Sequence, residues 1–275
     1  AGHHVALYDP SEEALASAPD RIHSIFELLG QDPAGAERLA LYSDFDAAVS
    51  AADFVIEAAP EKLEIKQDIF ARLSAATKPT AILASNTSAI PIGEIGAKVH
   101  DAGRVIGAHF WNPPHLVPLV EVVQAEKTAP AVVKQTIALL DDVGQMPVHV
   151  QHDIPGFIGN RLQHALKREA IALVADGVCD PETIDRVVKH GFGARLAVLG
   201  PMEQSDLVGL NLSLDIQKVL LPHLDRTAGP QPFLENKVAA GELGMATGRG
   251  FYDWTPEQCA EVRERLQRYL VRWAR

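Results

Sequence analysis

The sequence predicts an α/β fold in which a mostly parallel, doubly wound sheet is followed by an all-α domain. Short apolar runs alternate with helical segments up to residue 153, and this alternation favours a parallel sheet with helices on both faces. Beyond the turn-forming pair Pro155-Gly156, only helical periodicity remains. We therefore expect a first domain over residues 1–153 and a helical second domain over residues 154–275.

Five strands are expected, because five short apolar runs have the length and composition of buried strands. They lie at residues 5–9, 54–56, 81–83, 105–107 and 120–123. A first helix should begin after Ser11, which is a good N-cap ahead of two glutamates. Helical spacing of apolar residues predicts further helices over residues 63–76, 131–143, 157–174 and 257–273.

Composition limits the class of protein. A chain of 275 residues with 47% hydrophobic residues can bury the cores of two domains. The formal charge of -11 opposes nucleic-acid binding, and no apolar run approaches the roughly 20 residues of a membrane span. Cys179 and Cys259 lie far apart, without a partner at ligand spacing, so neither a disulfide framework nor a metal site is indicated. We expect a cytoplasmic protein that binds neither nucleic acid nor membranes.

The start of the sequence departs from a complete dinucleotide-binding domain. Such a domain opens with a strand, a G-x-G-x-x-G turn and a helix whose N-terminus holds the pyrophosphate. Here Ala1-Gly2-His3-His4 comes directly before the run that ends at Asp9. We expect the first strand and the glycine loop to be absent from this sheet and present in the native protein.

Asp9 occupies the position at which a carboxylate accepts hydrogen bonds from the adenosine ribose and repels a 2′-phosphate. This position favours NAD over NADP. The alternative is an acid that merely ends a strand before a turn.

Four segments resemble the 3-hydroxyacyl-CoA dehydrogenase family in their order and spacing: Ser85-Asn86-Thr87-Ser88, Gly107-Ala108-His109-Phe110-Trp111-Asn112-Pro113, Leu119-Val120-Glu121-Val122 and Pro155-Gly156-Phe157-Ile158-Gly159-Asn160-Arg161. The resemblance runs from about residue 5 to residue 252. It implies a Rossmann-type sheet, NAD as cofactor and a homodimer formed through the helical domain. It also places Glu57, Glu61 and Lys66 near the cofactor and the substrate, and Asn86 and Asn112 at the cofactor.

His109 is the candidate base. A histidine can take the hydroxyl proton near neutral pH while a hydride leaves the same carbon, and a carboxylate on its other nitrogen fixes its tautomer. Glu121 follows twelve residues later on the next predicted strand, where a buried carboxylate needs a partner. A histidine beside Phe110 and Trp111 could otherwise be a packed residue.

The resemblance assigns Ser88 and Asn160 to holding the reacting oxygen, with Asn160 at the start of the second domain's long helix. Ser88 could instead cap the short helix near Pro91, and Asn160 could be structural.

The substrate is either a small free hydroxy acid or an acyl-CoA. Between Pro10 and Ala40 the only lysines or arginines are Arg21 and Arg38, which is unfavourable for the phosphates of CoA. Trp111 replaces a phenylalanine of the acyl-CoA enzymes, as in carnitine, gulonate and pyridine-carboxylate dehydrogenases of the family. Arg195 could grip a substrate carboxylate or be a surface residue. A third hypothesis is a non-catalytic, crystallin-like or truncated relative.

Overall fold

The computed structural model describes residues 2–273 of the chain. Two compact units are present. Among the described residues, the first unit contains residues 2–161 together with residues 267–273, and the second is Leu162–Leu266. Within the described residues, no helix combines the length and the apolar character that a membrane crossing requires.

Within residues 2–273, seven strands form two sheets. They are β1 (Val5–Tyr8), β2 (Leu39–Tyr42), β3 (Phe54–Glu57), β4 (Ile82–Ser85), β5 (Val105–Phe110), β6 (Leu119–Val123) and β7 (Met146–Val150). Strands β1 and β2 pair in parallel by themselves, and the other five follow the order β3-β4-β5-β6-β7. Only the β5–β6 pair is antiparallel. The prediction of a mostly parallel sheet is confirmed.

Eleven α-helices lie in the described residues. They are α1 (Glu12–Leu29), α2 (Phe45–Val49), α3 (Leu63–Ala76), α4 (Ile92–Ile95), α5 (Pro130–Asp142), α6 (Gly159–Ala175), α7 (Pro181–His190), α8 (Pro201–Val208), α9 (Leu210–Leu220), α10 (Pro232–Ala239) and α11 (Pro256–Trp273). Beyond β7 the described residues form helices and turns, with isolated bridges only at residues 244, 249 and 253. The helical character predicted there is confirmed.

Two strands differ from the sequence prediction because β2 and β7 were not expected. Strand β2 has only four residues and directly follows a 3-10 turn at Pro33–Arg38. Such a short apolar run does not distinguish a strand from other buried structure. Strand β7 contains Pro147, which argues against a central strand. It lies at the edge of the five-stranded sheet, where a missing N–H is tolerated.

Residues on both faces of the five-stranded sheet are buried. Alternate residues such as Leu83 and Val105 join a cluster that includes Phe70 of α3 and Ile92 of α4. The intervening residues, such as Ala84 and Ile106, pack in a second cluster with residues of α5. The sheet is therefore covered by helices on both sides, as a doubly wound fold requires.

Two local features fix where helices begin. The Ser11 hydroxyl accepts a hydrogen bond from the Ala14 N–H at 3.2 Å, which caps α1 as predicted. Helix α6 begins at Gly159, two residues later than predicted, because Phe157 has a φ of 50° and so cannot belong to a right-handed helix.

Candidate active site

His109 and Glu121 are direct partners across the antiparallel β5–β6 pair. Directly opposed residues project from the same face of a sheet, so their side chains meet. His109 Nδ1 lies 2.8 Å from Glu121 Oε2. Both residues are buried, with 5% and 1% of their surfaces exposed. The contact predicted from the sequence is therefore present.

Glu121 uses its second oxygen as well. Its Oε1 accepts hydrogen bonds from the backbone N–H groups of Ile158 at 2.9 Å and Gly159 at 3.0 Å, where α6 begins. Burial alone raises the pKa of Glu121, but the hydrogen bonds from His109, Gly159 and Ile158 outweigh it and hold the pKa below the usual glutamate value. Glu121 is therefore a carboxylate at neutral pH.

The ionised state of Glu121 decides the tautomer of His109. A carboxylate can only accept hydrogen bonds, so Nδ1 of His109 must carry the hydrogen that it shares with Glu121. The neutral ring then has its lone pair on Nε2. This is the form of histidine that can remove a proton from a hydroxyl group.

Aromatic rings pack around the histidine. The ring centres of Trp111 and Phe157 lie 5.6 and 5.7 Å from that of His109. Gly159 lies against the Trp111 ring so closely that a Cβ atom there would come within 2.2 Å of Trp111 Cζ2. The indole Nε1 is buried without a hydrogen-bond partner in the described residues. These contacts fix the ring beside the base.

Ser88 and Asn160 are adjacent. The Asn160 side-chain amide donates a hydrogen bond of 2.8 Å to the Ser88 carbonyl. Ser88 does not cap α4, because that helix has Pro91 at its N-cap and no side-chain cap. The division between the compact units falls after Arg161, so Asn160 belongs to the same unit as His109.

A buried ion pair lies at the ends of β3 and β4. Lys66 Nζ is 2.7 Å from Glu57 Oε1 and 3.4 Å from Glu61 Oε2. Glu57 Oε2 accepts the Ser85 hydroxyl at 2.6 Å. Burial raises the pKa of Glu61, but hydrogen bonds from residues 87–89 and the charge of Lys66 outweigh it and lower the pKa overall.

The remaining predicted cofactor residues are placed as follows. Asp9 follows β1, is partly buried and accepts the Ser11 N–H at 2.8 Å. The Asn86 side-chain oxygen, just beyond β4, accepts the Phe110 N–H at 2.8 Å. Asn112 is exposed in the loop after β5.

These residues fit a dinucleotide. Asp9, Asn86 and His109 lie at or just beyond the carboxyl ends of β1, β4 and β5, and ligands of open α/β sheets bind outside those ends. Asp9 offers a carboxylate to ribose hydroxyls, and Asn86 offers an amide.

Arg195 lies in the second unit. It ends a 3-10 turn at Phe192–Arg195, its side chain is exposed, and it forms no ion pair within residues 2–273. The structure thus brings together His109, Glu121, Ser88 and Asn160 in one unit and leaves Arg195 in the other.

Sequence reasoning missed Ser85 as a ligand of Glu57 and the two N–H groups that bind Glu121. No signal in the sequence could have identified these two N–H groups, because every residue other than proline has a backbone N–H. The only sequence indication of a role for Ser85 was its position beside Asn86, in one of the four segments that resemble the family.

Two family models match the chain. One, described as the NAD binding domain of 3-hydroxyacyl-CoA dehydrogenase, matches residues 1–154. The other, described as the C-terminal domain of 3-hydroxyacyl-CoA dehydrogenase, matches residues 156–254.

Curated relatives cover nearly the whole chain. 5-Formyl-3-hydroxy-2-methylpyridine 4-carboxylate 5-dehydrogenase of Mesorhizobium japonicum is 36% identical, over 98% of this chain and 89% of the relative. L-Carnitine dehydrogenase of Streptomyces griseus is 36% identical, over 94% and 80%. A crystal structure of a 5-formyl-3-hydroxy-2-methylpyridine 4-carboxylic acid 5-dehydrogenase, described as an NAD+-dependent dismutase, superposes with a TM-score of 0.90 at 35% identity. It covers 97% of this chain and 88% of that chain.

Proposed function

Since the chain belongs to the 3-hydroxyacyl-CoA dehydrogenase family, we propose that it oxidises the CH–OH group of a small free hydroxy acid with NAD. The observation that carries this proposal is the buried, in-register pair of His109 and Glu121. The pair has the tautomer that a base requires.

Each residue of the site has a role in this proposal. His109 Nε2 takes the proton of the substrate hydroxyl, and Glu121 stabilises the imidazolium that results. Ser88 and Asn160 hold the reacting oxygen. Bound NAD supplies the hydride acceptor. Asp9, Asn86, Ser88 and Asn112, with Glu61 and Lys66 nearby, would hold it.

Two features favour a free carboxylate over a CoA thioester. Helix α1 and the following 3-10 turn carry only Arg21 and Arg38 as permanent positive charges, and a CoA substrate brings phosphates that need several. The exposed guanidinium of Arg195 has no ion-pair partner within residues 2–273, so it is available to a carboxylate. Two of the curated relatives are named for small acids, and others of similar identity are named for CoA thioesters. The Trp111 ring lies beside His109, and in this proposal it contacts the substrate.

The test is a steady-state assay on the purified protein. NADH formation is measured with a panel of hydroxy acids that includes L-carnitine, and the reverse reaction with 5-formyl-3-hydroxy-2-methylpyridine 4-carboxylate. We expect turnover of a free acid, and a loss of about 100-fold or more in kcat in His109→Gln. Exposed His100→Gln is the control. Equal turnover by His109→Gln would reject the mechanism.

The second candidate is an L-3-hydroxyacyl-CoA dehydrogenase of fatty acid metabolism. Both matching family models carry that description, which favours it. Efficient reduction of acetoacetyl-CoA by NADH, with weak activity on every free acid, would select this candidate.

We also propose a homodimer formed through the second unit. Helix α9 is apolar on several sides and largely exposed in the single chain: Leu210 64%, Leu212 49%, Leu214 54%, Ile216 46% and Val219 67%. A contiguous group of exposed large apolar side chains commonly marks a protein–protein contact surface. A second copy of this chain would cover it, as symmetric pairing is the commonest assembly.

A cytoplasmic location is part of the proposal. Cys179 and Cys259 are free thiols, a state that reducing compartments maintain.

A further inference from the structure

The turn at residues 153–157, which precedes α6, has a strained backbone. Phe157 has a φ of 50°, in the left-handed region that residues other than glycine seldom occupy. Its side chain is completely buried, and its ring lies 5.7 Å from that of His109. Such a backbone conformation persists only where the surrounding contacts fix it. The contacts on both sides of Phe157 therefore hold the turn in place.

Beyond Phe157 the chain is attached to Glu121. The N–H groups of Ile158 and Gly159 donate hydrogen bonds to Glu121 Oε1 at 2.9 and 3.0 Å. Asn160 is the next residue along the chain. Its position relative to the catalytic pair therefore depends on the course of the turn.

The turn itself is attached to the segment at residues 88–93. The Gly156 N–H donates to the Ala89 carbonyl at 3.2 Å, and Asp153 Oδ2 accepts the Gly93 N–H at 2.8 Å. Gly93 lies in the first turn of α4, where backbone N–H groups have no acceptor within the helix. Asp153 therefore caps a helix that is distant from it in sequence.

A third hydrogen bond connects the same two segments. The Asn160 side-chain amide donates to the Ser88 carbonyl at 2.8 Å. Residue 88 thus pairs with 160, residue 89 with 156 and residue 93 with 153, so the two segments run antiparallel. Asp153 forms one end of this ladder and Asn160 forms the other.

Asp153 uses only one of its two oxygens in the ladder. Its Oδ1 is buried and has no hydrogen-bond partner within residues 2–273. An asparagine has one acceptor oxygen, which is enough for the Gly93 N–H. An alanine offers none, but it leaves the bonds of Gly156, Ile158 and Gly159 in place, so that variant should fold.

We propose that Asp153 is a positioning residue, which sets Asn160 beside His109 by attaching the turn to Gly93. The proposal rests on the proposed function, because it assigns Asn160 to the reacting oxygen. Asp153 acts here through Asn160 and without contact to the substrate or to NAD.

The central experiment compares Asp153→Ala with Asp153→Asn on the acid that the wild type oxidises. We expect kcat to fall by about 10-fold or more in Asp153→Ala, because a misplaced group slows the reaction. KM for NAD should stay within about 3-fold, since the residues proposed to hold NAD lie outside residues 153–160. Asp153→Asn should recover most of the lost kcat. Exposed Asp141→Ala is the control.

A double variant distinguishes positioning from a general structural defect. If Asp153 acts through Asn160, its removal should matter little once the Asn160 amide is gone. Asp153→Ala should then lower the kcat of Asn160→Ala by less than about 2-fold. Independent effects would instead multiply, and the double variant would lose about 10-fold or more beyond Asn160→Ala.

Amide hydrogen exchange gives a readout that needs no activity. The N–H groups of Gly93 and Gly156 donate to the ladder, so they should exchange faster in Asp153→Ala than in the wild type. Both should exchange close to the wild-type rate in Asp153→Asn and in Asp141→Ala.

Three results would overturn the proposal: an unchanged kcat in Asp153→Ala, an asparagine variant no better than the alanine one, or independent effects in the double variant. A wild-type protein that turns over no hydroxy acid or acyl-CoA, yet shows the expected exchange rates, would reject the proposed function and leave the attachment of the turn by Asp153 supported.

Discussion

Glu121 is the residue whose two oxygens serve two different partners. Oε2 accepts from His109, and Oε1 accepts from the N–H groups of Ile158 and Gly159. A carboxylate can accept at both oxygens, but an amide has one acceptor and one donor end. An amide therefore cannot accept from His109 and from the α6 N–H groups through different atoms, as the carboxylate does.

We predict that Glu121→Gln lowers kcat by about 100-fold to 10,000-fold. If the glutamine oxygen binds the α6 N–H groups, its NH2 group faces Nδ1 of His109 and puts the ring hydrogen on Nε2. That tautomer cannot act as the base. Steady-state kinetics measure the effect, and exposed Glu126→Gln is the control. A loss of less than about 3-fold would show that the tautomer is set by something other than Glu121.

Glu121 also predicts a pH dependence of stability. Its pKa is lower in the folded protein than the ordinary value of 4.5, so the unfolded chain binds a proton first as the pH falls. The stabilisation from this group is complete above 4.5 and is lost as the pH drops through the folded pKa. Urea unfolding at a series of pH values should show a smaller free energy of unfolding below 4.5 in the wild type. The decline should be shallower in Glu121→Gln, and parallel pH profiles would contradict it.

At the level of elements, the start of α6 depends on a glycine. Gly159 has no side chain, and the Trp111 ring lies where its Cβ would be. We predict that Gly159→Ala lowers the free energy of unfolding by about 1–3 kcal/mol and lowers kcat, because the indole or the helix must move. Chemical denaturation and kinetics measure the two effects.

The partner of that glycine provides a direct check. Phenylalanine lacks the outer indole atoms, so adding Trp111→Phe to Gly159→Ala should recover part of the lost stability. Gly229→Ala is the control, since no atom lies within 4 Å of its added Cβ. Strictly additive effects in the double variant would show that the two residues do not interfere.

A second junction of elements depends on Arg104, which is 6% exposed. Its guanidinium donates to the Thr77 hydroxyl and to the carbonyls of Ser74, Lys78 and Ala81, around the end of α3. We predict that Arg104→Met lowers the free energy of unfolding by about 2–4 kcal/mol, because these carbonyls lose their donor.

Arg104→Lys should also lower the free energy of unfolding, because a compact ammonium cannot reach the same set of oxygens. Arg72→Met is the control, since that side chain is 52% exposed. A change below about 1 kcal/mol in Arg104→Met would contradict the prediction.

The elements show why part of the fold was predictable. Strands β3, β4, β5 and β6 are compact apolar runs between helices, and they were expected from the sequence. The short β2 and the proline-containing β7 lack that signal, since their strand character depends on the neighbours with which they pair. The start of α6 was displaced by the left-handed backbone of Phe157, which no pattern of apolar residues reveals.

The parts of the site that side chains form could be predicted, and the parts that backbone groups form could not. His109 and Glu121 could be paired because adjacent strands align them. The attachment of Glu61 to residues 87–89 could not, because two of the three donors are backbone N–H groups distant in sequence.

At the level of the whole molecule, the exposed helix α9 predicts self-association. We expect light scattering after size exclusion to give twice the mass of one chain. Leu212→Glu and Ile216→Glu should shift the protein towards the monomer, since a charge at a buried interface costs several kcal/mol without a partner. Gln217→Glu, on the same helix and already exposed, is the control. A wild-type monomer at micromolar concentration would contradict the proposal.

The hydrogen bond between Asn86 and the Phe110 N–H has a consequence for ligand chemistry. Because the amide oxygen must face that N–H, the orientation of the whole amide is fixed, and its NH2 group is the end that remains for other partners. The free NH2 group of Asn86 can therefore donate to a lone pair of a ligand, such as that of a carbonyl or an ether oxygen. Aspartate would keep the strand contact but reverse this polarity, and would repel any group that the native asparagine attracts.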